Sequence, residues 1–334
     1  MKKNKTTISL IASILNISPI SVSRALLGQD GVSEELRNKI ILKADEMGYL
    51  KNKTKDIKVL VLHGRQNIQD NSNFSYIIGY TEKSLQDMNV NYSIEYIAAE
   101  NQIDMYLPCK LEKEKYYDGV IFLGRFNSNY AAFIRSKIKS AIFYLGYTPS
   151  FDSDYVNFNY NNSGYKACDY LIENGHKKIG FIGGCDDFKN REYLLGINFC
   201  LDKHDLYIKK DYIIESFDNL KQHMDYLINT GDFPDAFVCT LDYAALKLIQ
   251  YLNSKGIKVP DDISVIGCGN TEMSSISSPA LTTIELNLKY SCEIAVRLLL
   301  SRIKNPDKPF EIISVTGNII EKNSVKKLGD YSEL

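Results

Sequence analysis

The sequence predicts an α/β protein in which a small all-α unit precedes a two-lobed body of parallel sheets. Three observations predict it. Apolar residues in the first fifty positions recur at helical spacing in three short bursts; from Ile57 onward, short runs rich in Val, Ile and Phe alternate with helical segments; and 334 residues exceed one ordinary domain. A composition of 44% hydrophobic and 24% charged residues suits a chain able to bury a core.

The net charge of −1 hides an asymmetry. Residues 1–56 carry eight Lys and two Arg against six carboxylates, a surplus of four positive charges that leaves five negative for the rest. A basic small end on an acidic body suggests an anionic partner at the N-terminus; a merely solvated tail fits the charge equally well. The seven cysteines are scattered, with no C-x-x-C pair and no His read at ligand spacing. They are expected to be free thiols in a reducing compartment, with no metal and no cofactor. The opening MKKNKTTISLIASIL has a charged start, but its apolar run is short and broken by Ser and Asn. No stretch is long enough to span a membrane, so a cytoplasmic protein without membrane partners is expected.

In the first burst Ile8, Ile11, Ala12 and Leu15 share a face. It ends at Asn16, a residue that tolerates the left-handed backbone of a tight turn, and Ser18-Pro19 supplies an N-cap and a proline at the first helical position. A second helix over about Pro19 to Leu27 can pack Val22 and Leu26 on the first. Ser33 caps a third, with Glu34 and Glu35 in its first turn and Ile40, Ala44 and Met47 inside. This is a helix-turn-helix, whose second helix enters the major groove. Arg24 suits a guanine edge, and serines and helix N-termini suit phosphates. A small bundle for protein docking has the same outline.

The segment TISLIASILNISPISVSRALLGQDGVSEELRNKIILKADEMGY closely resembles the headpiece of the LacI/GalR repressor family. The resemblance implies that Ser18, Pro19, Ile20, Ser21, Ser23 and Arg24 face double-stranded operator DNA, with Thr7, Ser33 and Arg37 at or near its backbone. Leu10 stands for the usual Asp and Asn16 for the usual turn Gly. Pro19-Ile20 hold positions that often read bases, and Ile20 is limited to apolar contact, such as a thymine methyl. The family's hinge helix should follow Gly48-Tyr49, yet only YLKNKTKD precedes the next strand. Residues 51–56 therefore read as a short basic linker between a headpiece at 1–50 and a body at 57–330.

In the body, IKVLVLHG, NYSIEYIA, YDGVIFLG, SAIFYLG, KKIGFIGG, DAFVCT and DISVIGCG read as strands, and 75–88, 163–174 and 244–255 as helices. Continuous apolar strands alternating with helices imply parallel sheets covered on both faces, with a ligand cleft at the carboxyl ends of the strands. No phosphate-binding loop and no nucleophile elbow occurs, and His176 reads as a structural residue at a helix-strand junction. No catalytic residue is assigned and no enzyme is expected.

The blocks YDGVIFLG, GYKACDYLIENGHKKIGFIGG, DAFVCTLDYAALKLIQYLNSKGIKVPDDISVIGCGNTEMSSISSPALTTI and IIEKNSV resemble the same family's sensor in order. The resemblance implies a periplasmic-binding-protein-like fold with three crossings, a first lobe of 57–160 and 287–312, a second of 161–286 and 313–328, and a homodimer. It places effector contacts at Phe74, Tyr76, Arg125, Asn159, Arg191, Phe217, Asp242 and Asn270. Aromatic faces and bidentate polar groups suit a sugar. Phe74 and Phe217 fit a core equally well, and Asp242 a helix cap. Arg191 reads as a loop residue, spaced from Gly196 as in a galactoside-operon subgroup, and the scarcity of acids beside Arg125 and Arg191 favours a phosphorylated or otherwise anionic sugar. The whole predicts a repressor of a carbohydrate-utilisation operon, against the alternative of a sugar-binding or sugar-processing protein with a degenerate headpiece.

Overall fold

The computed structural model describes residues 7–26, 31–47, 49, 57–64, 71–145, 152–184, 188–216 and 218–328. The expected linker at 51–56 and Phe217 lie outside them.

The headpiece comprises α1 (Ile8–Leu15), α2 (Pro19–Leu26) and α3 (Glu34–Glu46). Ile11, Ala12, Val22, Ala25, Ile40 and Ala44 form its buried core. Ala25 sits fully inside beside Val22, and Leu26 packs half-buried against the same core.

The first lobe opens with β1 (Lys58–Gly64), α4 (Asn71–Asp87), β2 (Asn91–Ile97), α5 (Ala99–Ile103), α6 (Cys109–Glu114), β3 (Gly119–Leu123), α7 (Ser128–Lys137), β4 (Ser140–Tyr144) and β5 (Asp154–Phe158). The second contains α8 (Tyr160–Glu173), β6 (Ile179–Ile182), α9 (Phe188–Lys203), a 3₁₀ turn at Lys210–Tyr212, β7 (Ile213–Ile214), α10 (Leu220–Thr230), β8 (Ala236–Cys239), α11 (Asp242–Ser254), β9 (Ser264–Cys268), α12 (Glu272–Ile276) and β10 (Thr283–Glu285). The chain then returns through α13 (Leu288–Lys304) and β11 (Ile312–Val315) to the first lobe and ends in the second with β12 (Asn318–Ile320).

The first sheet runs β11-β5-β4-β3-β1-β2 and is parallel throughout; the second runs β12-β10-β9-β8-β6-β7, with only β12 antiparallel to its neighbour. Strand residues alternate between two buried faces. Val59 and Val61 of β1 face the central core, whereas Leu60 and Leu62 face a second cluster on the other side. In β8, Ala236 and Val238 divide from Phe237 and Cys239 in the same way. Burial on both faces explains why these strands read as continuous apolar runs.

The lobes are joined at 159, 286–287 and 316–317. β11 pairs with β5, so the third crossing lies beyond Val315 and not at 312. The crossings bond to one another: Asn159 N–H donates to Val315 O at 2.8 Å, and Asn287 Nδ2 donates to Thr316 O at 3.0 Å. Gly317 permits this closeness, since a Cβ there would lie 2.5 Å from Ile284 Cγ2.

One buried ion pair fastens α13 to β5. Arg302 donates through Nε and Nη2 to Asp154 Oδ2 and Oδ1 at 2.7 and 3.0 Å, and its remaining nitrogen reaches Pro306 and Lys308 carbonyls. His176 is buried, with Nε2 3.1 Å from Lys326 O and Nδ1 3.3 Å from Asp235 Oδ1, a structural junction of helix, strand and C-terminal segment.

Candidate functional site

The headpiece builds its site from caps and a turn. Thr7 Oγ1 accepts from Leu10 N–H at 3.2 Å and starts α1. Asn16 closes that helix in the left-handed region, at φ 54° and ψ 44°, and the chain departs so that α1 and α2 meet at 111°. Ser18 Oγ accepts from Ser21 N–H at 3.0 Å and starts α2. The outcome is a rigid short helix with Val22 and Ala25 inside and Pro19, Ile20 and Arg24 in solvent; Ser21 and Ser23 are half-buried on its flanks. Ile20 is 65% exposed. Arg24 lies across Gly31, where a Cβ would meet Nη1 at 3.1 Å. Ser33 Oγ accepts from Leu36 N–H at the start of α3. Arg37 Nη1 donates to Ala25 O at 3.2 Å, tying α3 to the last turn of α2.

In the body, the candidate cleft lies where the carboxyl ends of both sheets meet. From the first lobe, Phe74 on α4 is half-buried against the central core, its ring 5.8 Å from that of His63 at the end of β1. His63 also meets Tyr96, at 5.3 Å. Its Nδ1 is buried without a polar partner among the described residues, and burial pushes its pKa below the ordinary value. Tyr76 is exposed and hydrogen-bonds Glu272 of α12 in the other lobe, which raises the phenol's pKa. Asn73 Nδ2 reaches Gly269 O across the lobes at 3.5 Å. Arg125 is exposed just past β3.

The second lobe contributes less directly than the sequence suggests. Arg191 is exposed, but it stands in the first turn of α9 and not in a loop. Asn159 is the N-cap of α8, its Oδ1 accepting from Asn162 N–H at 2.9 Å, so its side chain is partly committed to the hinge. Asp242 neither caps α11, whose N-cap is Leu241, nor presents itself to solvent. Its Oδ2 accepts from Thr271 N–H and Oγ1–H at 2.7 and 2.9 Å, and Oδ1 accepts from Thr283 Oγ1–H at 2.5 Å. Burial raises its pKa despite those bonds. Asn270, at φ 45°, donates to Glu285 Oε2 at 2.8 Å and accepts from Lys322 Nζ at 3.1 Å.

Sequence reading missed His63, Glu272 and Lys322. Only His63 carried a signal, as a polar residue at the C-terminal end of an apolar strand; the others are brought in by distant chain. A concavity of about 700 Å³ lined by Asn161, Leu195, Phe199 and Tyr207 lies on the flank of α8 and α9, away from these residues.

Residues 168–325 match the model of a periplasmic binding protein-like domain. Along 96% of its length the chain is 25% identical to an HTH-type transcriptional repressor, PurR, of Photobacterium profundum and 28% identical to the HTH-type transcriptional regulator GanR of Bacillus subtilis, covering 99% of each. Among solved structures, a CelR–cellobiose complex is similar over 96% of this chain and 99% of its own, with TM-score 0.68 and 19% identity. The lac repressor dimer bound to operator and an anti-inducer matches 97% of this chain and all of its own, with TM-score 0.66 and 18% identity.

Proposed function

We propose that this chain is a transcription regulator of the LacI type, not an enzyme, and that it represses a carbohydrate-utilisation operon as a cytoplasmic homodimer. Its α2 enters the operator's major groove, and a sugar or sugar phosphate between the lobes sets the affinity. The observation that carries the reading is the turn at Asn16. It turns α2 through 111° to leave Pro19, Ile20 and Arg24 in solvent, on a unit with surplus positive charge. Arg24 reads guanine by two hydrogen bonds, Ile20 covers a thymine methyl, and Thr7, Ser18 and Ser33 meet phosphates with the lone pairs and hydroxyl protons that their caps leave over.

The effector alters the lobe angle, and the cross-lobe contacts Asn73–Gly269 and Tyr76–Glu272 are made or broken with it, which couples effector and operator affinity reciprocally. A phosphorylated sugar fits best. Asp242 has its carboxylate engaged by Thr271 and Thr283, which leaves exposed Arg125 and Arg191 as charged candidates to meet the ligand.

Selection of bound sequences from a random duplex library by the full-length protein, at stated salt, tests the DNA half. A two-fold symmetric motif is expected; recovery of no motif overturns the reading in favour of a sugar-binding protein with a degenerate headpiece. Calorimetric titration with a neutral disaccharide and a sugar phosphate tests the effector half, and binding of the neutral sugar alone overturns the anionic assignment.

A further inference from the structure

On the flank of the second lobe, α8 and α9 run side by side in the same direction, and glycines set their spacing. A Cβ at Gly164 would lie 2.0 Å from Tyr193 O, and one at Gly196 would lie 1.9 Å from Asn161 O. The two backbones are in contact, so side chains one turn further along are held in fixed register. There Asp169 Oδ1 is approached from two sides, by Cys200 Sγ at 3.8 Å and by His204 Nε2 at 3.4 Å. The three donor atoms lie within 4.8 Å of one another.

Those separations match a coordination shell. With sulfur about 2.3 Å and nitrogen or oxygen about 2.0–2.2 Å from a tetrahedral centre, sulfur and oxygen ligands stand about 3.6 Å apart and nitrogen and oxygen about 3.4 Å. A thiol is a weak donor, so hydrogen bonding alone gives little reason for it to share a carboxylate oxygen with an imidazole. We propose that Asp169, Cys200 and His204 form a binding site for a zinc-class divalent cation, its fourth position open to solvent.

Access and charge agree with this assignment. The side chains of His204 and Asp169 are 35% and 32% exposed, whereas Cys200 is buried, so an ion enters from the surface and meets sulfur at the bottom. One thiolate and one carboxylate around a divalent cation sum to zero charge, which a half-buried position tolerates. A thiol must give up its proton to ligate, so binding strengthens as pH rises. The sequence reading found no His at ligand spacing from a cysteine; Cys200 and His204 are in fact four residues apart, and Asp169 comes from the neighbouring helix. A bound cation would brace the far ends of two helices whose first residues are Tyr160, next to the hinge, and Phe188, near Arg191.

The test is titration of the reduced, chelator-treated full-length protein with Co²⁺. One equivalent should bind, with a near-ultraviolet thiolate-to-cobalt band that Zn²⁺ abolishes. C200S should lose the band, and D169N and H204A should weaken binding roughly tenfold or more; C109S, at an exposed cysteine far from the site, should leave it unchanged. H204A keeps the test readable if C200S does not fold. A band that survives C200S or vanishes in C109S, or failure to take up cobalt, overturns the proposal.

Discussion

The headpiece and the cleft make sites in opposite ways. In the headpiece the residues proposed to meet a partner include or adjoin those that start and turn the helices, over a core of Ile11, Ala12, Val22, Ala25, Ile40 and Ala44. In the cleft they come from Phe74 to Lys322, and most are held by side chains far away in sequence over a core that spans both sheets. A local site needs little burial and is correspondingly easy to lose. A dispersed site depends on the whole body, and damage to it should be large and remote.

Breaking the body without touching the headpiece is the strongest test of that contrast. Asp154→Ala leaves Arg302 buried beside no carboxylate, and should cost about 3–5 kcal/mol of stability. The chain has 23 Tyr and no Trp, and Tyr49 is the only tyrosine in the first fifty residues, so near-ultraviolet tyrosine dichroism follows the body almost alone. Denaturant unfolding read this way should shift strongly. A loss under about 1 kcal/mol would show that the pair contributes little and that the body does not depend on its long-range fastenings.

The reverse experiment damages contact without damaging fold. Arg24→Ala removes an exposed side chain and should weaken operator binding by roughly 1–3 kcal/mol, with tyrosine dichroism unchanged. Anisotropy titration on the selected motif measures it; equal loss on unrelated duplex would make Arg24 a phosphate contact only. A smaller effect is expected at the turn. Asn16→Ala must hold φ 54° without the help of an amide side chain and should destabilise the headpiece by about 1–2 kcal/mol, whereas Asn16→Gly should be close to neutral. Protease sensitivity of the headpiece, with the body's unfolding as internal control, separates the two variants.

The same contrast explains what was legible in the sequence. Thr7, Ser18 and Ser33 each accept from the backbone N–H three residues ahead, and Asn16 takes the left-handed turn by its own backbone, so their identity alone announces the helix ends. Alternating strands and helices likewise announced the parallel sheets. Strand β5 escaped notice because Asp154 and Asn157 interrupt its apolar run, and both are strand residues only because β4 and β11 flank it. Asp242 looked like a cap or a ligand; only the fold reveals Thr271 and Thr283 closing around it. Arg302 carried no signal, since its carboxylate partner lies 148 residues away. Cys200 and His204 stand four residues apart but were not read as a pair, and Asp169 becomes their neighbour only when α8 and α9 meet at glycine.

His63 gives the smallest effect and tests whether the cleft is as dry on the first-lobe side as its packing implies. The ring sits between Phe74 and Tyr96, and burial lowers its pKa from the ordinary 6.5. Below that value the unfolded chain takes up a proton that the native ring resists, so the unfolded state binds more protons and stability falls as pH falls. Above it both states are neutral at this site and the neutral ring carries no penalty. The wild-type protein should therefore lose stability between pH 6.5 and the lowered native pKa, and His63→Gln should lose less over the same interval. Parallel denaturant titrations across that interval measure the difference, and identical slopes would mean that the imidazole finds water or an acceptor in the cleft. An anionic effector would then have a further cation to meet at low pH, beside Arg125, Arg191 and Lys322, and its affinity should rise on acidification where the packed, neutral ring predicts no such gain.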